Sequence, residues 1–171
     1  LKEYVQARYG KNDLALQKVW QILGAGIYNS PKEKPQQGTH ESLFCARPGL
    51  DVWKASAWAE SKDYYNPKEV MEAARLMLTV ADQYKGNNNF EYDLVDVLRQ
   101  AVAEKGRLTL KIVSAAFMAE DKELFSQASK RFLDLILLQD ELLGTRKEFR
   151  VGNWTNMARK IGASPEEKNL Y

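Results

Sequence analysis

Between residues 121 and 143 the apolar side chains are too many for a single helical stripe. Leu124, Phe125, Ala128, Phe132, Leu135, Ile136, Leu138 and Leu142 recur at three- and four-residue spacings and spread around more than one face. Gly144 then stops the run. A helix of this kind needs neighbours on several sides. The pattern therefore predicts a helical bundle with this segment near its centre.

The rest of the chain supplies neighbours. Residues 1 to about 9 read as a helix closed by Gly10. Asn12 or Asp13 can cap a second helix running to about Tyr28, with Leu16, Val19, Trp20, Leu23 and Ile27 on one stripe. Gly24 and Gly26 weaken it by about 1 kcal/mol each relative to Ala. Their expected use is close approach of another backbone. Asn66-Pro67-Lys68-Glu69 is a cap followed by proline at the first helical position. It opens a third helix to about Tyr84, with Val70, Ala74, Met77, Leu78 and Ala81 inward. Gly86 and the asparagines at 87–89 form a turn. A fourth helix starts near Phe90, carries Tyr92, Leu94, Val95, Leu98 and Val102, and continues to Phe117 with a bend expected at Gly106. A sixth spans about 153–161, closed by Gly162. No stretch alternates like a strand. The expected fold is all-α: about six helices, largely in antiparallel pairs, with a long aromatic loop between the second and third.

A length of 171 residues suggests one domain. Apolar and charged fractions of 44% and 28% are those of a globular chain. A formal charge of +2 with interspersed signs argues against a nucleic-acid surface, which needs clustered Lys and Arg. The nearest to a basic patch, Arg146, Lys147 and Arg150, has Glu148 inside it. A single cysteine excludes an internal disulfide and leaves the compartment open. No run of about 18 apolar residues occurs, so no membrane span is expected. The opening LKEYVQARYG reads as the end of an earlier helix, and Ser164-Pro165-Glu166-Glu167 as the start of another just before the last residue. Both ends predict a piece of a longer polypeptide.

Candidate chemistry is sparse. His40, the lone histidine, sits in the polar loop 29–41 and has only Cys45 as a possible co-ligand, so the plainer reading is a solvated residue and no metal is expected. Glycoside hydrolysis usually needs two carboxyl groups about 5 Å or about 6.5–9.5 Å apart. Asp93 with Asp96, Asp140 with Glu141, and Glu120 with Asp121 are sequence neighbours, which on helices usually form a solvated face. Glu148, between two helices beside Phe149 and Trp154, is the most interesting acid; an ion pair with a nearby Arg is its plainer reading. Asp96 and Arg99 are spaced for an ion pair. If buried, Tyr92, Asp93, Asp96 and Arg99 would form a structural network. No nucleophile elbow and no phosphate loop appears. Asn153-Trp154-Thr155 fits a glycosylation sequon, but its position predicts a helix cap.

The aromatic residues are the remaining signal. The stretch ESLFCARPGLDVWKASAW, residues 41–58, lacks a helical period and carries Phe44, Arg47, Trp53 and Trp58. Tyr64 and Tyr65 follow it. Aromatic faces stack on the C–H faces of sugars and a guanidinium serves their hydroxyls. The plainer reading is that these rings pack on the bundle. Both readings stay open on the residues alone.

Four blocks in order, YNSP, ESLFCARPGL with a later Trp, YDLVDVLRQAV, and LLGTRKEFRVGNW with a later Ala-Arg, resemble the C-terminal helical region of the family 89 glycoside hydrolases. These α-N-acetylglucosaminidases include the lysosomal enzyme of heparan sulfate breakdown and bacterial relatives. The resemblance implies a longer enzyme with a small α/β domain, a (β/α)₈-like catalytic barrel and then this helical region. It implies retaining removal of terminal α-linked N-acetylglucosamine from glycans such as heparan sulfate or mucin-type chains. The glutamate nucleophile and glutamate acid/base would both lie in the barrel, upstream of Leu1, so no catalytic residue is expected in this chain and it should be inactive alone. No cofactor is implied. The implied partners are the barrel of the same polypeptide and, in the full enzyme, the glycan. The implied location of such an enzyme is secreted, periplasmic or lysosomal. Arg47, Trp53 and Trp58 are the positions expected to reach the wall of the substrate pocket. Tyr92, Asp96, Arg99 and Trp154 are expected to hold the domain together. The alternative from the residues alone is a helical protein-interaction or scaffold domain without a catalytic role.

Overall fold

A computed structural model describes residues 1–30, 42–47, 49–52 and 64–170. Among these there are seven α-helices, three short 3-10 turns and no strand. The helices are α1 (Lys2–Tyr9), α2 (Leu14–Ala25), α3 (Pro67–Val80), α4 (Asn88–Met118), α5 (Lys122–Gly144), α6 (Val151–Ile161) and α7 (Pro165–Lys168). The seventh is the segment opened by Ser164.

Capping sets the boundaries. Asp13 accepts from the amides of Ala15 and Leu16 at 2.8 and 3.1 Å and starts α2. Asn66 does the same for Lys68 at 3.0 Å, with Pro67 at the first helical position. Asn87 caps α4 through Phe90 at 3.1 Å, and Asp121 caps α5 through Leu124 at 2.9 Å. Gly10 ends α1 at φ +84°, a left-handed conformation that favours glycine. The turn between α4 and α5 is only three residues, so the two helices form an antiparallel hairpin.

The apolar residues form two clusters, and α4 runs through both. In the first, Val5 and Tyr9 of α1, Leu16, Val19 and Leu23 of α2, and Val70, Ala73 and Met77 of α3 surround Phe90, Val97 and Ala101. In the second, Leu43 of a 3-10 turn and Ala128 of α5 meet Leu110 and Val113 at the other end of α4. The expectation that α5 is central is therefore corrected. Only Ala128 and Gln139 of its 23 residues are buried, while Leu133 and Leu137 stand exposed. Among the described residues α5 packs chiefly against one neighbour, α4, so much of its wide apolar surface is only partly covered.

Three smaller expectations change as well. Leu78 faces outward, because Ala73, Met77 and Val80 take the inner side of α3. Gly24 has nothing within 4 Å of a built Cβ, and Gly26 meets the Glu69 side chain at 2.9 Å, so neither lies against the backbone of another helix. Gly106 does not interrupt α4, which is one continuous helix of 31 residues. Its missing side chain makes room for the Phe44 ring, whose Cζ lies 2.5 Å from where a Cβ would stand.

Candidate functional site

Ser42 caps the 3-10 turn Leu43–Cys45 by accepting from the Phe44 amide at 3.3 Å. Phe44 wedges between Gly106 and the Phe132 ring, 5.7 Å away between centroids. Arg47 follows, exposed, on the lining of a recess of 470 Å³ between α4 and α5. Leu110, Val113, Phe125 and Phe132 form its apolar walls, and among the described residues no carboxylate lines it. The described lining suits apolar contact. Trp53, Trp58 and His40 lie outside the described residues. Among the described residues no group of three or more His, Cys, Asp or Glu is placed to hold a metal ion.

The second set of expected residues sits on α4. Arg99 donates through Nε to Asp96 Oδ1 at 2.8 Å, and its Nη2 lies 2.7 Å from the same oxygen. Both side chains are partly exposed. Tyr92 stacks on Phe149 at 5.2 Å and 22°. The Arg99 and Arg146 guanidinium groups lie 5.8 Å and 5.9 Å from the Phe149 and Tyr92 ring centres. These contacts join α4 to the 3-10 turn Lys147–Phe149. Trp154 differs: it is 62% exposed on α6, and no described ring packs on it. Asn153 does not cap α6. It lies inside the first turn and its side-chain amide donates back to the Lys147 carbonyl.

Asp93 belongs to another network. Its carboxylate accepts from Arg8 Nε, from Arg8 Nη2 at 2.6 Å and from the Tyr9 hydroxyl at 2.7 Å. The Trp20 indole donates to that hydroxyl at 2.9 Å. Asn87 and Asn89 donate to the carbonyls of Tyr9 and Arg8. The end of α1 is thus tied to the start of α4. The Arg8 guanidinium is raised above its usual range, first by its bond to Asp93.

Among the described residues, the other acids weighed for hydrolysis serve as an ion-pair partner, a cap or exposed charges. Arg146 grips Glu148 with Nε at 3.2 Å and Nη2 at 2.9 Å, and that contact holds the carboxyl below its ordinary range. A glycosidase general acid needs the opposite shift. Asp140 and Glu141 are exposed on α5, and Asp121 is used as a cap.

One charged group was not singled out in the sequence. Glu104 is 1% exposed. It accepts from the Tyr65 hydroxyl at 2.5 Å and from Gln100 Nε2 at 2.8 Å, with Arg107 Nη1 at 3.2 Å from its other oxygen. Adjacent Tyr64 donates to the Ile27 carbonyl at 2.5 Å. The two tyrosines therefore fasten the end of α2 and the middle of α4 to the start of α3. The available signal was position: Val97, Ala101 and Glu104 fall on one stripe, and the first two are core residues.

Comparison with known proteins agrees with this architecture. The family model described as the alpha-N-acetylglucosaminidase (NAGLU) C-terminal domain matches residues 1–171. Human alpha-N-acetylglucosaminidase is 30% identical over 169 residues, covering 98% of this chain and 22% of that protein. A Clostridium perfringens structure in complex with its substrate GlcNAc-alpha-1,4-galactose superposes with a TM-score of 0.87 at 33% identity, over 98% of this chain and 19% of the other. The family 89 glycoside hydrolase from Clostridium perfringens in complex with PUGNAc gives 0.88 at 32% identity, with the same coverage. The chain spans about a fifth of the length of these relatives. With a family model matched from its first residue to its last, the chain belongs to the alpha-N-acetylglucosaminidase C-terminal domain family.

Proposed function

We propose that this chain acts as an accessory helical domain of an α-N-acetylglucosaminidase. In this reading it packs on the catalytic part of the same polypeptide and helps to wall the pocket where terminal α-linked N-acetylglucosamine leaves a glycan. Arg47, Trp53 and Trp58 are assigned to that wall, and the catalytic glutamates to the rest of the enzyme.

The observation that carries the proposal is an outward apolar surface in a chain matched along its whole length by that family. Val151, Trp154, Met157 and Ile161 fall on one stripe of α6, and each is between 59% and 85% exposed. Leu133 and Leu137 add an exposed pair one turn apart on α5. Soluble monomers rarely leave such surface open unless something covers it.

Two measurements test this. The purified chain should not hydrolyse a chromogenic α-N-acetylglucosaminide while giving a folded circular dichroism spectrum. In the full-length enzyme, Val151→Asp with Ile161→Asp should lower melting temperature and activity together, yet leave the melting of the 171-residue chain unchanged. Turnover by the chain alone, abolished by Glu148→Gln, would overturn the proposal. So would a full-length enzyme indifferent to the α6 substitutions.

A further inference from the structure

We propose that Tyr28, Asp96, Arg99 and Gln100 form a binding site for one neutral pyranose ring of a glycan. The site is a recess of 160 Å³ between the end of α2 and the middle of α4, floored by Leu23 and Val97. It is well below the roughly 300–1,000 Å³ of a pocket for a drug-sized ligand, which suits a single ring.

One wall is a prepared aromatic surface. The Tyr28 ring is 61% exposed and lies on Trp20 at 6.4 Å and 16°. Trp20 is itself fixed, by its indole bond to Tyr9 and by the edge of Tyr4 at 5.1 Å. A platform held from behind loses little freedom when a ligand lands on it. The C–H face of a pyranose is the apolar, flat surface that such a ring accepts.

The opposite wall offers what hydroxyls need. Both contacts of Arg99 fall on Asp96 Oδ1, and among the described residues Oδ2 has no hydrogen-bond partner. Gln100 uses its amide nitrogen on Tyr65 and Glu104, and its carbonyl oxygen has no partner among the described residues. Arg99 keeps N–H groups beyond those that meet Asp96. Two acceptors and a forked donor beside an aromatic face match a ring of hydroxyls that both donate and accept. Among the described residues that line the recess the only charges are Asp96 and Arg99, which pair with each other. A sulfated or uronic ring would gain no net attraction, which selects a neutral one.

The choice of sugar probes rests on the proposed function; the site does not. The test is ¹⁵N NMR titration of the 171-residue chain with methyl α-galactoside and N-acetylglucosamine, with glucuronate as the charged control. Saturable shifts are expected at the Trp20 indole and at the amides of Tyr28 and Asp96 with a neutral sugar. Affinity should fall about tenfold or more, roughly 1.4 kcal/mol, in Tyr28→Ala and in Asp96→Asn. It should persist in Tyr28→Phe, which keeps the platform. The proposal is overturned by no saturable shift with either neutral sugar, by binding indifferent to Tyr28→Ala, or by salt-sensitive preference for glucuronate. Those results would leave the accessory-domain reading standing, since that one is decided in the full-length enzyme.

Discussion

The Phe44 ring occupies the space that a side chain at Gly106 would need. A Cβ there would lie 2.5 Å from Cζ and 2.6 Å from Cε1 of the ring. Phe132 also packs on the ring from α5. Gly106→Ala gains about 1 kcal/mol of helix propensity and incurs about 1–3 kcal/mol of overpacking. The expected net effect is destabilisation, read as a lower urea midpoint. Phe44→Leu in the same chain should recover part of the loss. Gly24→Ala, with nothing within 4 Å, should instead stabilise by up to about 1 kcal/mol. If both alanines stabilise alike, the Phe44 contact does not constrain α4.

Asp93 and Asp96 are one helical turn apart and should respond differently. Asp93 is buried and joins Arg8 and Tyr9, whose other contacts fasten α1. Asp93→Ala strands a guanidinium and a buried hydroxyl, a loss of about 3 kcal/mol. Arg8 is 32% exposed, which keeps the figure at the low end of the range for buried pairs. Asp96→Ala breaks a half-exposed i,i+3 pair, for which about 0.5 kcal/mol is expected. Equal losses in equilibrium unfolding would show that α1 does not depend on Asp93.

What the sequence disclosed follows the range of the interactions. Helix starts were legible at Asp13, Asn66 and Ser164, because a cap is decided within three residues. Spacing alone grouped Asp93 with Asp96, yet its partner Arg8 is 85 positions away. Gly106 read as a bend because nothing local reports Phe44. The width of the α5 apolar surface was visible, but the number of helices that cover it is a tertiary property. Trp154 was expected, from the resemblance, to help hold the domain together; it stands 62% exposed on an apolar stripe of α6, a placement that depends on how α6 is turned and that no local pattern reports. For Arg47, the stretch 41–58 indicated a surface position; the recess beside it depends on α4 and α5, more than sixty residues on.

Alkaline pH should unfold the first cluster. The Tyr84 phenol is pushed up to about 12 from 10.0, first by burial and then by Asp13, whose carboxylate accepts its hydroxyl at 3.2 Å. Burial, followed by the bond to Asp93, also raises Tyr9. In the unfolded chain both phenols ionise near pH 10. Since the folded values are raised, the stability they contribute is complete below pH 10 and disappears as pH rises through the folded values. For Tyr84 this is about 2–3 kcal/mol across two pH units. The urea midpoint should stay level from neutral pH to about pH 9, then fall steeply toward pH 12. Tyr84→Phe should soften that fall. A midpoint that stays level throughout would contradict the burial of these hydroxyls.

Glu104 should be the most demanding charge in the chain. Its carboxylate lies inside α4 and answers three groups, Tyr65, Gln100 and Arg107. Glu104→Ala removes an acceptor of the Tyr65 hydroxyl and a counter-charge of Arg107, an expected loss of about 3 kcal/mol. Glu104→Gln retains one carbonyl oxygen for Tyr65 but brings amide hydrogens toward the guanidinium, so an intermediate loss is expected. Tyr65→Phe removes one hydrogen bond to a charged group, about 1.5–3 kcal/mol. In the double variant Glu104→Gln with Tyr65→Phe the losses should fall short of additive, because each change breaks the same contact. A double-mutant cycle in urea unfolding measures that coupling. Full additivity would mean that Tyr65 and Glu104 stabilise the chain independently, and that the start of α3 is held to α4 by packing alone.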